Sequence, residues 1–132
     1  FIGSPAMNFL PVTGWIQGST GLAVSTAGLG RVETGFEVPA GTPSEGATIG
    51  IRAEDVTVLT DGGAGVPLTA EVVERLGDRS LVYGVLDDGS KFVVEADGRS
   101  LIKAGDQLML SLDPKAFHLF GADGRAFFKE AD

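Results

Sequence analysis

The sequence predicts an all-β protein built as a small barrel or sandwich, and three observations lead to this class. Apolar and polar residues alternate with a period of two in four stretches, at 47–59, 66–77, 80–96 and 106–113. Turns rich in Asp and Gly accompany these stretches, and no segment of ten or more residues shows helical periodicity. Short alternating strands with such turns are typical of small β-barrels and β-sandwiches.

Each predicted strand depends on a local pattern. The stretches ATIGIRAEDVTVL and VPLTAEVVERLG alternate throughout and are interpreted as strand regions. In SLVYGVLDDGSKFVVEA the alternation stops at DDGS, and because Asp and Gly tolerate left-handed dihedral angles, this stretch predicts a hairpin. Gly105 precedes the strand DQLMLSLD, and a last Asp-Gly turn in GADGRAFF leads into Phe127 and Phe128.

The glycine-rich stretch TDGGAG at 60–65 fits neither a helix nor a strand. We expect it to be a flexible internal loop that divides residues 1–132 into two β-rich halves. A chain of 132 residues is long enough for one domain, or two half-sized lobes, with a real core. Because the sequence contains no Cys, neither disulfides nor a thiolate metal site holds it together, and stability must come from packing.

Charge and hydropathy exclude two classes of partner. The formal net charge is -8 and the acidic residues are scattered, which argues against contacts with phosphate backbones, so no nucleic acid is expected as a partner. No apolar run approaches the roughly 18 residues that span a bilayer, and no secretory signal pattern is present. We therefore expect a soluble domain.

No catalytic residue is predicted. The single histidine, His118, lies between Phe117 and Leu119 on an alternating strand, which favours a structural or surface role over catalysis. The acidic pair Glu54-Asp55 follows Arg52, and we expect an exposed turn with an internal ion pair. The pair DD at 87–88 falls in the predicted hairpin turn.

No cofactor or metal site is predicted either. The Gly-rich stretches GLAVSTAGLG and TDGGAG lack the Lys-Ser/Thr of a phosphate-binding loop and do not precede a helix. One histidine and dispersed carboxylates provide no cluster of metal ligands at workable spacing.

Four motifs in order carry a family resemblance: FIGSPAMNFL at 1–10, IGIRAEDV at 49–56, VVERLGDRSLVY at 72–83 and FHLFGADGRAF at 117–127. Together they resemble the C-terminal regulatory region of the ATP-binding subunit of a carbohydrate-type bacterial ABC importer, similar to the maltose- and glycerol-3-phosphate-transporter ATPases. The resemblance is weakest from about 13 to 43. In that family the first motif follows the nucleotide-binding domain, so residues 1–11 are expected to be a junction from a missing ATPase domain.

The resemblance implies an OB-like β-barrel of the TOBE or MOP type. The family-motif residues carried over are Arg52, Glu54, Glu74 and Gly77. In the ERLG motif the polar pair is expected to face outward and Leu76 inward, with Gly77 permitting a bend. Ala53 stands where the family usually has proline, so the turn there is less constrained.

The resemblance also implies a mechanical function rather than catalysis. The domain would pair two copies of the subunit and hold the ATPase dimer together, so the expected partners are a second copy, membrane permease subunits through the ATPase domain, and a regulatory protein. ATP and Mg are expected only in the missing ATPase domain. The complex would be cytoplasmic, peripheral at the inner face of the plasma membrane.

The expected contact surface is an apolar patch of His118, Phe120 and Phe127, although these phenylalanines could equally fill the barrel. The alternative function is an autonomous small-ligand-binding β-barrel domain, against which the few basic residues argue in the case of an oxyanion. A hydrolase built on His118 has little support. The sequence does not identify the transported solute.

Overall fold

The all-β prediction is confirmed. The structure, a computed structural model, describes residues 7–19, 21–59 and 65–127. Within them lie two single-turn 3₁₀ helices, Ala53–Asp55 and Pro114–Ala116, and twelve β-strands. The strands are β1 Met7–Pro11, β2 Gly14–Gly18, β3 Gly21–Thr26, β4 Gly30–Glu33, β5 Thr48–Arg52, β6 Val56–Leu59, β7 Val66–Arg75, β8 Arg79–Leu86, β9 Lys91–Asp97, β10 Gln107–Leu112, β11 His118–Phe120 and β12 Ala126–Phe127.

The described residues form two compact units. The first unit, called here the barrel unit, contains residues 7–8 and 52–113, and the second contains residues 9–51 and 114–127. The boundaries therefore follow Ile51 and Asp113, and the second unit is assembled from separate stretches of chain. Residues 60–64 of the predicted internal loop and residues 1–6 of the predicted junction lie outside the described residues.

The barrel unit is one antiparallel sheet with the strand order β6-β10-β7-β8-β9. Its edge strands β6 and β9 approach each other, so the sheet is nearly closed, as expected for an OB-like barrel. Alternate residues of each strand point inward, and together they form an apolar core of Val56, Leu68, Ala70, Val82, Leu86, Phe92, Val94, Leu108 and Leu110.

Tight turns set the register of the two hairpins in this sheet. The predicted hairpin at DDGS is confirmed, because β8 pairs with β9 across it. Between β7 and β8 the Leu76 N–H donates to the Arg79 carbonyl at 2.8 Å, and Gly77 has φ +92°. Glycine at the first central position with positive φ is what a type II′ hairpin turn requires, so Gly77 permits the bend as predicted.

Three local predictions are wrong. Leu76 does not face inward: it is 41% exposed, because it occupies a corner of the hairpin turn beyond the last paired residues. The predicted strand region at 47–59 is interrupted by the helix Ala53–Asp55, where the fully buried Ala53 turns into the core. No ion pair joins Arg52 to the acidic pair there in the described part of the chain, although the turn is exposed as predicted.

The second unit contains the three-stranded sheet β2-β3-β4 and most of the four-stranded sheet β1-β5-β11-β12. In the latter, β11 pairs with β5 and with β12, and Leu119 lies opposite both Ile49 and Phe127. The buried apolar side chains of this unit are Leu10, Val12, Leu22, Ala23, Val24, Val32, Phe36, Ala47, Ile49, Ile51, Phe117 and Leu119.

Candidate functional site

The barrel unit has an open groove of about 820 Å³, called here the acidic groove. It lies between the two edge strands, β6 and β9, and the loop at 98–106 that joins β9 to β10. Its apolar lining is Val56, Val58, Leu59, Ala96, Leu101, Ile102 and Leu108, and its polar lining is Thr57, Glu95, Asp97, Arg99, Ser100 and Asp106. The groove therefore lies where the two edge strands of the nearly closed sheet approach each other.

The wall of the groove is held in place by Arg75 of the ERLG motif. Its guanidinium donates to the carbonyl of Ser100 at 2.8 Å and to that of Ile102 at 2.6 Å. These two carbonyls lie on either side of Leu101, whose side chain is 89% exposed. One planar cation with fixed donors therefore orients the backbone on both sides of a leucine that faces water.

The electrostatics of the groove are acidic, with three carboxylates and one guanidinium among its lining residues. Two of the carboxylates stabilise the loop, because Asp97 accepts the Arg99 N–H at 2.7 Å and Asp106 accepts the Lys103 N–H at 3.0 Å. The third, Glu95, has only a long contact of 3.9 Å to Arg79. The exposed Arg99 side chain forms no ion pair with a described residue.

A second surface, called here the aromatic face, lies on the four-stranded sheet of the second unit. Phe9 is 56% exposed, Phe120 is half-buried, and their ring centroids are 5.8 Å apart. His118 is exposed and shares the face of Phe120, two residues along the same strand. A shallow cavity of about 490 Å³ adjoins the two rings, and its remaining lining is Gly46, Thr48, Gly121, Ala122 and Gly124.

The predicted patch of three residues is divided between two faces of this sheet. Phe127 lies directly opposite Leu119, and opposite residues of an antiparallel pair share a face. Phe127 therefore faces the side of the buried Leu119, where its ring makes an edge contact with Trp15 at 6.1 Å. Phe117 is buried as well, but it belongs to the second unit, so it does not fill the barrel.

The family-motif residues are not gathered into one site. Arg52 is exposed at the end of β5, Glu54 is exposed within the helix Ala53–Asp55, and Gly77 lies in the hairpin turn. Glu74, also exposed, accepts a hydrogen bond from the Tyr83 hydroxyl at 3.3 Å. Partial burial of Tyr83, with the Glu74 charge and this hydrogen bond, raises the pKa of the phenol above its ordinary value.

The described residues contain no group of three or more potential ligands, among His, Cys, Asp and Glu, that could hold a metal ion. The His118 imidazole forms no hydrogen bond or ion pair with the described residues, and its backbone belongs to the ladder of β11 with β5. In the described segments no helix has the length and apolar character to cross a bilayer.

The TOBE domain family matches residues 49–120, more than half of the chain. This chain belongs to the TOBE domain family. The match begins in β5 and ends at Phe120, so it includes the whole barrel sheet and three of the four motifs in part or in full. The resemblance inferred from the motifs is confirmed.

Curated relatives of this TOBE domain are import proteins. The sn-glycerol-3-phosphate import ATP-binding protein UgpC 3 of Agrobacterium fabrum is 35% identical over 131 residues, which cover 95% of this chain and 33% of the relative. The lactose transport ATP-binding protein LacK of Rhizobium radiobacter is 34% identical, with 95% and 35% covered. The chain thus spans about a third of the length of the curated relatives it matches.

The fold is shared with a solved structure of the cytoplasmic molybdate-binding protein ModG with molybdate bound. The TM-score is 0.63, and the alignment covers 89% of this chain and 96% of that chain. Because only 15% of the aligned residues are identical, the likeness concerns the fold alone.

Sequence reasoning missed the acidic groove. Arg75 was visible only as a polar residue at a strand end, and its carbonyl partners lie 25 and 27 residues away. The loop sequence GRSLIKAGD did contain a signal, an apolar Leu-Ile pair flanked by two basic residues in a turn-rich segment of an acidic chain.

Proposed function

We propose that this chain is the regulatory and dimerisation domain of the ATP-binding subunit of a bacterial ABC importer for sugars or related solutes, such as polyols or glycerol-3-phosphate. The observation that carries the proposal is the TOBE match within a chain that is similar, over 95% of its length, to import ATP-binding proteins. The four motifs occur in the family's order, which supports the same assignment.

The proposal assigns ATP and Mg to another part of the parent subunit. This chain lacks a phosphate-binding loop sequence, and the glycines of its strands and hairpins do not precede a helix of the kind that binds phosphate at its N-terminus. The domain therefore contributes contacts rather than chemistry. Its partners are a second copy of the subunit, the permease subunits through the ATPase domain, and a regulatory protein, at the cytoplasmic face of the plasma membrane.

Two measurements test this function. The gene that encodes the chain should carry a phosphate-binding loop and an ABC signature motif upstream of Phe1. Isothermal calorimetry with Mg-ATP should detect no binding to the 132-residue chain, whereas the parent subunit should bind. A parent gene without those motifs, or a micromolar dissociation constant for the chain alone, would contradict the assignment.

The alternative, a small-ligand-binding barrel, is favoured by one observation. The acidic groove has the volume and the mixed lining of small-molecule sites. Its three carboxylates repel an oxyanion such as the molybdate named for ModG, so a neutral or cationic ligand would be required. Calorimetry with lactose, the neutral sugar named for LacK, separates the alternatives, because a ligand-binding groove of this charge accepts a neutral ligand and the proposed function predicts no binding to the chain.

A further inference from the structure

We infer that two copies of this chain pair through the barrel unit, with Leu101 of each copy entering the acidic groove of the other. This inference rests on the proposed function, since it names the surface by which the domain dimerises. It differs from the patch expected from the sequence, because none of its residues belongs to the aromatic face.

The first support is the exposure of Leu101. At 89% it is the most exposed of the large apolar side chains in the described residues, and it lines the groove together with six other apolar residues. A leucine in water beside an unfilled apolar groove leaves both surfaces hydrated. Contact between the two removes apolar area from water on both sides.

The second support is geometry. Leu101 and the groove that would receive its equivalent lie side by side on one surface, because Leu101 itself lines the groove. A two-fold axis that passes between them places each leucine over the groove of the other copy. Such a surface is self-complementary, which is the property that a symmetric dimer interface needs.

The third support is charge. The exposed Arg99 side chain lies next to Leu101 in the loop and lacks an ion-pair partner among the residues described, while the groove contributes three carboxylates. The two-fold arrangement brings Arg99 of one copy to the groove of the second copy. Glu95 is the carboxylate assigned to this contact, because Asp97 and Asp106 accept backbone N–H groups of the loop, whereas Glu95 has only the long contact of 3.9 Å to Arg79 among the described residues. Local attraction of this kind is needed, because a formal net charge of -8 repels a second copy at long range.

The fourth support is the role of Arg75. If the loop were flexible, pairing would carry the entropic cost of ordering it. Here the Arg75 guanidinium already binds the carbonyls of Ser100 and Ile102, on either side of Leu101. Arg75 acts through the loop and not on the second copy, so it is a positioning residue for the contact.

The decisive experiment is a charge exchange, measured by sedimentation of the 132-residue chain from micromolar to millimolar concentration. The variants are Arg99→Glu and Glu95→Arg, each checked for folding by circular dichroism. Each variant alone places like charges across the two-fold contact and should raise the dimer dissociation constant about tenfold or more. An equimolar mixture restores opposite charges at both contacts and should pair within about threefold of the wild type.

Matched controls come from an exposed ion pair of the same unit, Lys91 and Glu71, whose charged atoms are 3.5 Å apart and which does not line the groove. Lys91→Glu and Glu71→Arg change the net charge by the same amounts, so they report the effect of net charge alone. The inference is overturned if the mixture pairs no better than its components, if the controls behave like the groove variants, or if the wild type stays monomeric at millimolar concentration.

A second pair of variants separates this inference from the proposed function. Leu101→Asp should abolish pairing of the chain, and Phe120→Asp should leave it. The opposite result would place dimerisation on the aromatic face, overturning the inference while leaving the proposed function intact. If neither the chain nor its parent subunit pairs at all, the proposed dimerisation falls as well.

Discussion

The acidic groove and the aromatic face both expose apolar side chains, but they hold them in different ways. In the groove, Leu101 lies on a loop whose shape depends on the contacts of Arg75 with two carbonyls. On the aromatic face, Phe9 and Phe120 belong to strands, and the sheet itself sets their separation of 5.8 Å. A substitution in the loop of the groove should therefore leave the core intact. The strands of the aromatic face, in contrast, also contribute side chains to the core.

The two surfaces also differ in what they can recognise. Apolar burial is non-directional. The aromatic face by itself therefore favours contact with an apolar surface but does not fix the orientation of the partner. The groove combines a leucine with carboxylates and with a guanidinium that has no ion-pair partner among the described residues, and such charges set orientation and reject wrong partners. A surface that pairs identical subunits in one fixed geometry needs charged groups that set the orientation. We therefore assign pairing to the groove.

The largest expected effect comes from the core beneath the aromatic face. Leu119 is fully buried between His118 and Phe120 on β11, so Leu119→Ala should lower the free energy of unfolding by about 2 to 5 kcal/mol. Leu101→Ala is the matched control, because the same truncation at a residue that is 89% exposed should change stability by less than about 0.5 kcal/mol. Urea unfolding of both variants measures the contrast, and equal losses would contradict the described burial.

The second effect concerns the loop of the groove. Arg75→Gln removes the cation that contacts two carbonyls, and we expect a loss of about 1 to 2 kcal/mol in stability together with weaker self-association. Arg31→Gln is the control, because the ion-pair partner of Arg31 among the described residues is the exposed Glu33, and such a surface pair should matter little. If both variants unfold at the same urea concentration, Arg75 does not hold the loop.

A smaller effect is expected from Phe120→Asp, which tests the aromatic face directly. Because the inferred contact lies in the barrel unit, this change should alter the dimer dissociation constant of the chain by less than about threefold. Phe9→Asp, at the neighbouring ring, should behave in the same way. Sedimentation at two ionic strengths measures both, and a loss of pairing in either variant would move the contact to this face.

The smallest effect concerns pH and the hairpin of β7 and β8. The pKa of Tyr83 is raised in the folded chain, so the interaction contributes stability below the ordinary tyrosine pKa of about 10 and loses it as the pH rises through the folded value. Tyr83 is the only tyrosine and is 39% exposed, so the loss should be small, about 0.3 kcal/mol. Urea midpoints at pH 9 and pH 11 should therefore fall slightly more for the wild type than for Tyr83→Phe.

The sequence was sufficient for features that depend on neighbouring residues. The period-two pattern identified the barrel strands, and the DDGS turn identified the hairpin of β8 and β9. The turn at Gly77 was also predictable, because only glycine adopts a φ of +92° without strain. Each of these depends on dihedral preferences and side-chain alternation, which act over a few residues.

Tertiary structure alone decided which exposed residues lie together. Phe120 and Phe127 are close in sequence, yet the pairing of Phe127 with Leu119 turns the two rings to opposite faces of the sheet. Arg75 and Leu101 are far apart in sequence, yet the return of β9 beside β8 brings the loop to the guanidinium. Alternation within a strand predicts that neighbouring residues point to opposite faces of the sheet. Which residues of different strands share a face depends on the strand register, and long-range backbone pairing sets that register.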